Sequence, residues 1–208
     1  MFSSAPAQET SPKEKGSLLS PDLVELIKLD PAFKLDIRYA TPNNFTGRPV
    51  YSEARAFLRR PVADALLKVH KKLKEKGYGL MIFDAYRPWS VTKLFWDRFP
   101  GFRGYLANPK KGSRHNRGCA VDLTIYDLKT AKEIEMPSPF DDFTERADPD
   151  YKGGTPAQRR ARDLLRTVME SEGFKVFKNE WWHFDYKGWQ EFPIMDLRFT
   201  EIPPMKTE

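Results

Sequence analysis

The chain of 208 residues is long enough for one large domain, which at this length buries about 70% of its unfolded surface without disulfides. Its composition, 40% hydrophobic and 13% aromatic, excludes a disordered chain, and no apolar run approaches the roughly 18 residues of a membrane span. The net charge of +6 comes from basic residues interleaved with acids and without a nucleic-acid motif. We therefore expect a soluble single domain that does not bind nucleic acid.

The amino-terminal sequence predicts a flexible extension. Residues 1–17 are rich in Ser, Ala, Pro, Glu and Lys and lack apolar periodicity, so we expect a flexible segment followed by one domain over residues 18–208. Residues 5–7, Ala-Pro-Ala, resemble the end of a secretory signal, but no apolar stretch precedes them. A cytoplasmic protein is the expectation, and a periplasmic one is the alternative if a signal was trimmed before Met1.

The first half of the domain contains three periodic segments. Ser20-Pro21 is typical of a helix start, which predicts a short helix through about Leu29. Alternating apolar residues over 35–39 predict a half-buried strand. Apolar residues at helical spacing from Val62 to Leu73 predict a helix that closes at Gly77. Its lysine-rich face is predicted to be solvated, with His70 on the surface.

The second half mixes helices and strands around two long loops, residues 100–118 and 136–155, and loops of this length are often functional. The predicted elements are a strand at 79–83, a helix at 89–99, a strand at 119–125, a helix at 155–173, and strands at 174–177 and 182–186. The order shows no regular βαβ alternation. We therefore predict an α+β fold with a central, mostly antiparallel sheet and flanking helices.

Two of the three histidines lie in polar contexts that suit chemistry. His115 belongs to a Gly- and Arg-containing segment that ends at Asp122, and His183 follows Glu180-Trp-Trp. Two imidazoles and one carboxylate can supply the three protein ligands of a catalytic zinc, which leaves the fourth position for water. Glu180 could then act as the general base.

The spacing of these residues alone does not exclude purely structural roles for them. His115 could be a loop histidine, Asp122 could pair with Arg117, and Trp181-Trp182 could be core residues. Cys119 is the only cysteine, so a disulfide or a multi-cysteine zinc site is excluded, and we expect it to pack as a small buried residue.

The geometry of the last segment adds a requirement. Glu180 and His183 are three residues apart, so a regular strand would point them to opposite faces. A shared site therefore requires an irregular backbone between these two residues.

Two separated signatures carry a family resemblance: Ser113-x-His115-x-x-Gly118-x-Ala120-x-Asp122 and Glu180-x-Trp182-His183. Together they resemble the zinc D-Ala-D-Ala metallopeptidases, whose fold group includes lysostaphin-type enzymes and the hedgehog domain. Residues 36–47, 84–88 and 140–146 narrow the resemblance to the VanX-type D-alanyl-D-alanine dipeptidases. The resemblance runs from about Leu29 to the end of the chain.

The resemblance implies a role for each matching position. One zinc ion would be bound by His115, Asp122 and His183. Glu180 would take a proton from the zinc-bound water and deliver it to the departing amine. Arg87 matches an arginine that stabilises the developing oxyanion. Its alternative role is a structural ion pair with Asp84.

The family also binds the free amine of its substrate. The matching residues here are Asp141, Tyr39 and Ser113, and the acid is placed at Asp141 rather than Asp142 because it directly follows Phe140. A carboxylate at the amine end rejects acylated chains, since a blocked nitrogen carries no charge and leaves the buried acid unpaired.

The resemblance thus predicts a zinc enzyme that cleaves the dipeptide D-Ala-D-Ala into two D-alanines. One alternative keeps the metal but acts on peptidoglycan stem peptides as a D,D-carboxypeptidase or endopeptidase. Another is a non-catalytic, zinc-stabilised binding domain, which is disfavoured because Glu180 and Arg87 would have no use there.

Overall fold

The computed structural model describes residues 9–14, 18–20 and 22–203. Its strands are β1 (Leu23–Glu25), β2 (Lys34–Leu35), β3 (Phe57–Arg59), β4 (Tyr78–Asp84), β5 (Ala120–Asp127), β6 (Phe174–Phe177) and β7 (Glu180–Tyr186). Its α-helices are α1 (Leu26–Leu29), α2 (Arg60–Lys74), α3 (Trp89–Arg98) and α4 (Pro156–Ser171).

A five-stranded sheet organises the domain. Its strand order is β2-β4-β5-β7-β6, and only the β2–β4 pair is parallel among the described pairs. Strands β1 and β3 form a separate antiparallel pair. Helices α2 and α4 pack against each other and against the sheet. The predicted α+β class with a mostly antiparallel sheet is confirmed.

Helix α4 forms where its sequence predicts it. The Thr155 hydroxyl accepts the Gln158 N–H at 3.2 Å, and the Gln158 side chain accepts the Thr155 N–H at 2.8 Å. This capping box satisfies two backbone donors that the first turn leaves without partners. Pro156 follows in the first turn, where proline is tolerated, and Leu165 and Met169 are buried.

Two predicted elements near the amino terminus differ from the structure. The predicted helix ending at about Leu29 is instead strand β1 followed by the single turn α1, because Val24 pairs with Leu58 across the β1–β3 ladder. The predicted strand over 35–39 is limited to β2, and residues Arg38–Ala40 form a 3₁₀ turn. In both places contacts with distant residues override the local pattern.

The prediction that His70 lies on the surface is wrong. The side chain is fully buried on α2, and its ring meets Phe33 edge to face at 4.4 Å between centroids. Neither ring nitrogen has a hydrogen-bond partner among the described residues. Burial, with the Lys74 ammonium adding to it, lowers the pKa of His70 to about 4.

The buried imidazole predicts a loss of stability in acid. Because its pKa is lowered from 6.5 to about 4, the unfolded chain binds a proton that the folded chain does not, and stability falls as the pH drops from 6.5 towards 4. We expect this effect to lower the free energy of unfolding by roughly 2 kcal/mol at pH 5. Urea unfolding of the metal-free protein between pH 7 and 5 measures it, and His70→Leu should remove this component. Parallel pH profiles for the two proteins would contradict the assignment.

The single thiol packs as predicted. Cys119 is fully buried, and burial raises its pKa to about 12, which leaves it unreactive near neutral pH.

Part of the predicted extension contacts the domain. Within residues 9–14, Glu9 pairs with Lys93 and Glu14 pairs with Arg117, whereas residues 1–8 and 15–17 lie outside the described residues. The domain boundary after residue 17 and the cytoplasmic location stay predictions. None of the helices in the described part of the chain is long and apolar enough to cross a membrane.

Candidate active site

Two acidic side chains and one histidine lie in a row at one end of the sheet. Asp84 at the end of β4 lies opposite Asp122 on β5, and Asp122 lies opposite His183 on β7. His115 joins them from a 3₁₀ turn, His115–Arg117, that directly precedes β5. Residues that are far apart in the sequence thus meet because three antiparallel strands place them in one row.

A glycine shapes the turn that carries His115. Gly118 ends the turn with a φ of +68°, a conformation that side chains rarely adopt. A Cβ there would lie 2.8 Å from a methyl carbon of Leu23 and 3.3 Å from the backbone nitrogen of Arg59. Both the conformation and the close approach explain the glycine in the first signature.

The irregular backbone that the sequence requires is present in β7. Val176 on β6 pairs with Phe184, but the next residue, Phe177, pairs with Glu180, so the register shifts between the two pairs. A bulge of this kind re-aims side chains. It brings a carboxylate oxygen of Glu180 to 3.7 Å from Nδ1 of His183, on the same side of the strand.

Three ligand atoms converge. Nε2 of His115 lies 3.1 Å from Nδ1 of His183, and Oδ1 of Asp122 lies 3.3 Å from the first nitrogen and 3.0 Å from the second. All three side chains are buried. Oδ1 of Asp122 nevertheless accepts no well-directed hydrogen bond from the described residues. A buried carboxylate oxygen without a donor, beside two ring nitrogens, fits a metal cation.

The outer ring nitrogens fix the orientation of both imidazoles. Nδ1 of His115 lies 2.6 Å from the carbonyl oxygen of Ala85, and Nε2 of His183 lies 2.9 Å from Oδ1 of Asp185. Metal-binding histidines ordinarily donate their other N–H in this way. Asp185 is not among the residues predicted from the sequence. The available signal was its position two residues after His183, because residues two apart on a strand share a face.

Burial and neighbouring charges shift the titration of the site. Burial raises the pKa of Glu180 to about 7, and the carboxylate of Asp122 adds to this while His183 opposes it. Burial alone would lower the pKa of His183, but the neighbouring carboxylates of Asp122 and Asp185 raise it well above its usual value. The same carboxylates that hold a proton here would attract a metal cation.

Arg87 has both of the environments that the sequence analysis considered. Its Nε donates to Oδ2 of Asp84 at 2.9 Å, and its Nη2 lies 2.8 Å from the same oxygen and 3.8 Å from Oδ2 of Asp122. Asp84 is held in turn by the hydroxyl of Tyr51 and the N–H of Ala85. The ion pair therefore fixes a positive charge at the wall of the site.

The three residues expected to bind the substrate amine line the same cavity. The hydroxyl of Tyr39 donates to Asp141, whose two carboxylate oxygens are 3.2 and 3.3 Å away, and Ser113 is buried beside His115. Burial, with the charges of Asp122 and Glu180 adding, raises the pKa of Asp141 well above its usual range. Asp141 also has a φ of +59°, a strained conformation of the kind found at functional sites.

All eight predicted site residues line one cavity of about 270 Å³. Its apolar walls include Phe45, Phe95 and Trp182. Trp182 is a core residue as well, because it is almost fully buried. The alternative pairing of Asp122 with Arg117 is not observed, since the carboxylate within ion-pair distance of Arg117 among the described residues is Glu14.

The site has the features of a hydrolase of the metallopeptidase class. A buried three-residue candidate metal site, an adjacent carboxylate and a fixed arginine line one pocket. The family model of the D-ala-D-ala dipeptidases matches residues 20–203. The chain therefore belongs to the D-Ala-D-Ala dipeptidase family.

Two sequence relatives agree with this assignment. The D-alanyl-D-alanine dipeptidase of Escherichia coli (strain K12) is 32% identical over 86% of this chain and 92% of the relative. That of Enterococcus faecalis is 36% identical over 72% of this chain and 83% of the relative. Among solved structures, the LdcB LD-carboxypeptidase aligns with a TM-score of 0.46 and 18% identity, covering 89% of this chain and 80% of that one.

Proposed function

We propose that the protein is a zinc-dependent dipeptidase that hydrolyses D-Ala-D-Ala to two D-alanines. The observation that carries the proposal is the convergence of Nε2 of His115, Oδ1 of Asp122 and Nδ1 of His183 within 3.3 Å of one another. Dipeptide hydrolysis follows from the family, and the zinc ion and the residue roles are inferred from this geometry.

The donor set favours zinc. Two imidazole nitrogens and one carboxylate oxygen are typical of catalytic zinc sites with an open fourth position. Tetrahedral ligands at about 2.0–2.1 Å from one ion stand roughly 3.3 Å apart, which is close to the spacing of these atoms. Asp185 and the Ala85 carbonyl would keep the two rings in place.

The residues around the proposed metal site have separate roles in amide hydrolysis. When bound, zinc lowers the pKa of water and polarises the scissile carbonyl. Glu180, with a pKa of about 7, accepts a proton from the attacking water and delivers it to the leaving amine. Arg87 holds a positive charge where the carbonyl oxygen becomes negative, and its pair with Asp84 fixes that charge before the reaction begins.

Asp141 is the residue of the cavity that would bind the substrate amine. Asp141 is a half-buried carboxyl that forms no ion pair with a described residue, and the substrate ammonium would supply a partner. A free dipeptide satisfies Asp141, whereas an acylated nitrogen leaves it unpaired. The cavity of about 270 Å³ lies at the small end of the range for ligand pockets, which suits a dipeptide.

Metal content and D-alanine release test the proposal directly. We expect the purified protein to hold about one zinc, to release D-alanine from D-Ala-D-Ala, and to lose both properties with a chelator. The reason is that the described residues contain no second group of three ligands like His115, Asp122 and His183. Added zinc should restore activity. A preference for N-acetyl-D-Ala-D-Ala would instead indicate a carboxypeptidase, and zinc binding without any hydrolysis would indicate a binding domain.

A further inference from the structure

Glu14 joins the amino-terminal stretch 9–14 to the metal-site region. Its Oε1 accepts a hydrogen bond from Nη2 of Arg117 at 2.5 Å, and its Oε2 accepts the backbone N–H of Ile194 at 2.8 Å. The Glu14 side chain is 22% exposed and that of Arg117 is 9% exposed. Both carboxylate oxygens are therefore used, and they hold two separate segments of the chain.

Arg117 is the end of the turn that carries His115. Its Nη1 donates to the carbonyl of Phe192, and its own carbonyl accepts Nε of Arg59 at 2.6 Å. Its guanidinium also lies over the ring of Trp189, 5.2 Å from the centroid. Arg117 thus fixes the turn, and Glu14 is the carboxylate that neutralises it among the residues the structure describes.

The segment around Ile194 reaches the same turn from the other side. The N–H of Met195 donates to the carbonyl of Asn116 at 2.9 Å, and Asn116 is the neighbour of His115. Glu14 therefore stabilises the turn by two routes. One route is its hydrogen bond with the side chain of Arg117, and the other is its hydrogen bond with the backbone at Ile194. Without Glu14, a nearly buried guanidinium would lose its counter-charge, which is a costly state that drives rearrangement.

We propose that Glu14 is a positioning residue for metal binding: through Arg117 and Ile194 it holds the His115–Arg117 turn in the conformation that aims His115 at the metal site. The inference rests on the proposed role of His115 as a ligand. Glu14 itself touches neither the metal site nor the substrate cavity.

Glu14→Ala and Glu14→Gln test the proposal, and Glu9→Gln is the matched control. Glu9 lies in the same stretch and also forms an ion pair, with Lys93, but its side chain is 71% exposed. In the metal-free proteins, hydrogen exchange reports on the turn, because the amides of residues 117–119 donate to the carbonyls of Arg114 and His115. In titrations with Co²⁺, affinity and the visible absorption spectrum report on the ligand geometry.

We expect both Glu14 variants to exchange the turn amides at least tenfold faster than the wild type, and to bind Co²⁺ about tenfold more weakly with an altered spectrum. The control should match the wild type in both measurements. Unchanged exchange in the turn would overturn the proposal. So would faster exchange spread evenly over β4 and α4 with unchanged Co²⁺ affinity, since that pattern indicates a general loss of stability.

Co²⁺ binding by the wild type separates this inference from the proposed function. If the wild type binds no Co²⁺, the metal site is refuted, and with it the positioning role. If the wild type binds Co²⁺ and the Glu14 variants bind it equally well, only the role of Glu14 is refuted.

Discussion

Glu180→Gln is expected to lower kcat for D-Ala-D-Ala by about 10²- to 10⁴-fold, the usual contribution of a general base, while zinc content stays near that of the wild type. The amide keeps the size of the side chain but cannot accept a proton from water. In the wild type, the carboxylate of Glu180 lies 3.7 Å from Nδ1 of His183. It is therefore beside the predicted ligands and is not one of the three converging ligand atoms. Steady-state kinetics and a zinc assay on the same preparation measure the two properties.

Glu135→Gln supplies the control for this substitution. Glu135 is exposed and lies outside the cavity, so kcat should not change. Equal loss of zinc and activity in Glu180→Gln would show that Glu180 is a ligand or a structural support, and the proposed division between ligands and base would then be wrong.

Asp141→Asn is expected to lower kcat/KM for the free dipeptide by about 10- to 100-fold, because a hydrogen bond to a charged group contributes roughly 1.5–3 kcal/mol. The asparagine can still accept the hydroxyl of Tyr39, so the local fold should persist. With N-acetyl-D-Ala-D-Ala, which carries no ammonium, the loss should be much smaller. The ratio of kcat/KM for the two substrates is therefore the quantity to measure.

The neighbouring acid gives a matched control. Asp142 accepts the N–H of Thr144 at 3.0 Å and does not line the cavity, so Asp142→Asn should leave the ratio unchanged. A changed ratio in Asp142→Asn, with a wild-type ratio in Asp141→Asn, would move the amine-binding role by one residue and reopen the carboxypeptidase alternative.

Local rules were sufficient for several elements. Helices α2 and α4 follow from apolar spacing and, for α4, from the capping box at Thr155. The candidate metal-site residues could be proposed from the sequence because few residue types bind a cation, and because the spacing of two short signatures resembles that of a known family. The need for an irregular strand between Glu180 and His183 followed from side-chain alternation alone, and the bulge in β7 satisfies it.

By itself, the sequence determined which side chains are available for chemistry and which segments are periodic, because residue type and spacing are local properties. Only the tertiary structure decided that Val24 pairs in a strand and that His70 is buried. It also decided that Asp185 contacts His183 and that Glu14 contacts Arg117. These outcomes depend on contacts between residues far apart in the chain. The free energy of such pairing and burial exceeds the small local preference for a helix or a surface position.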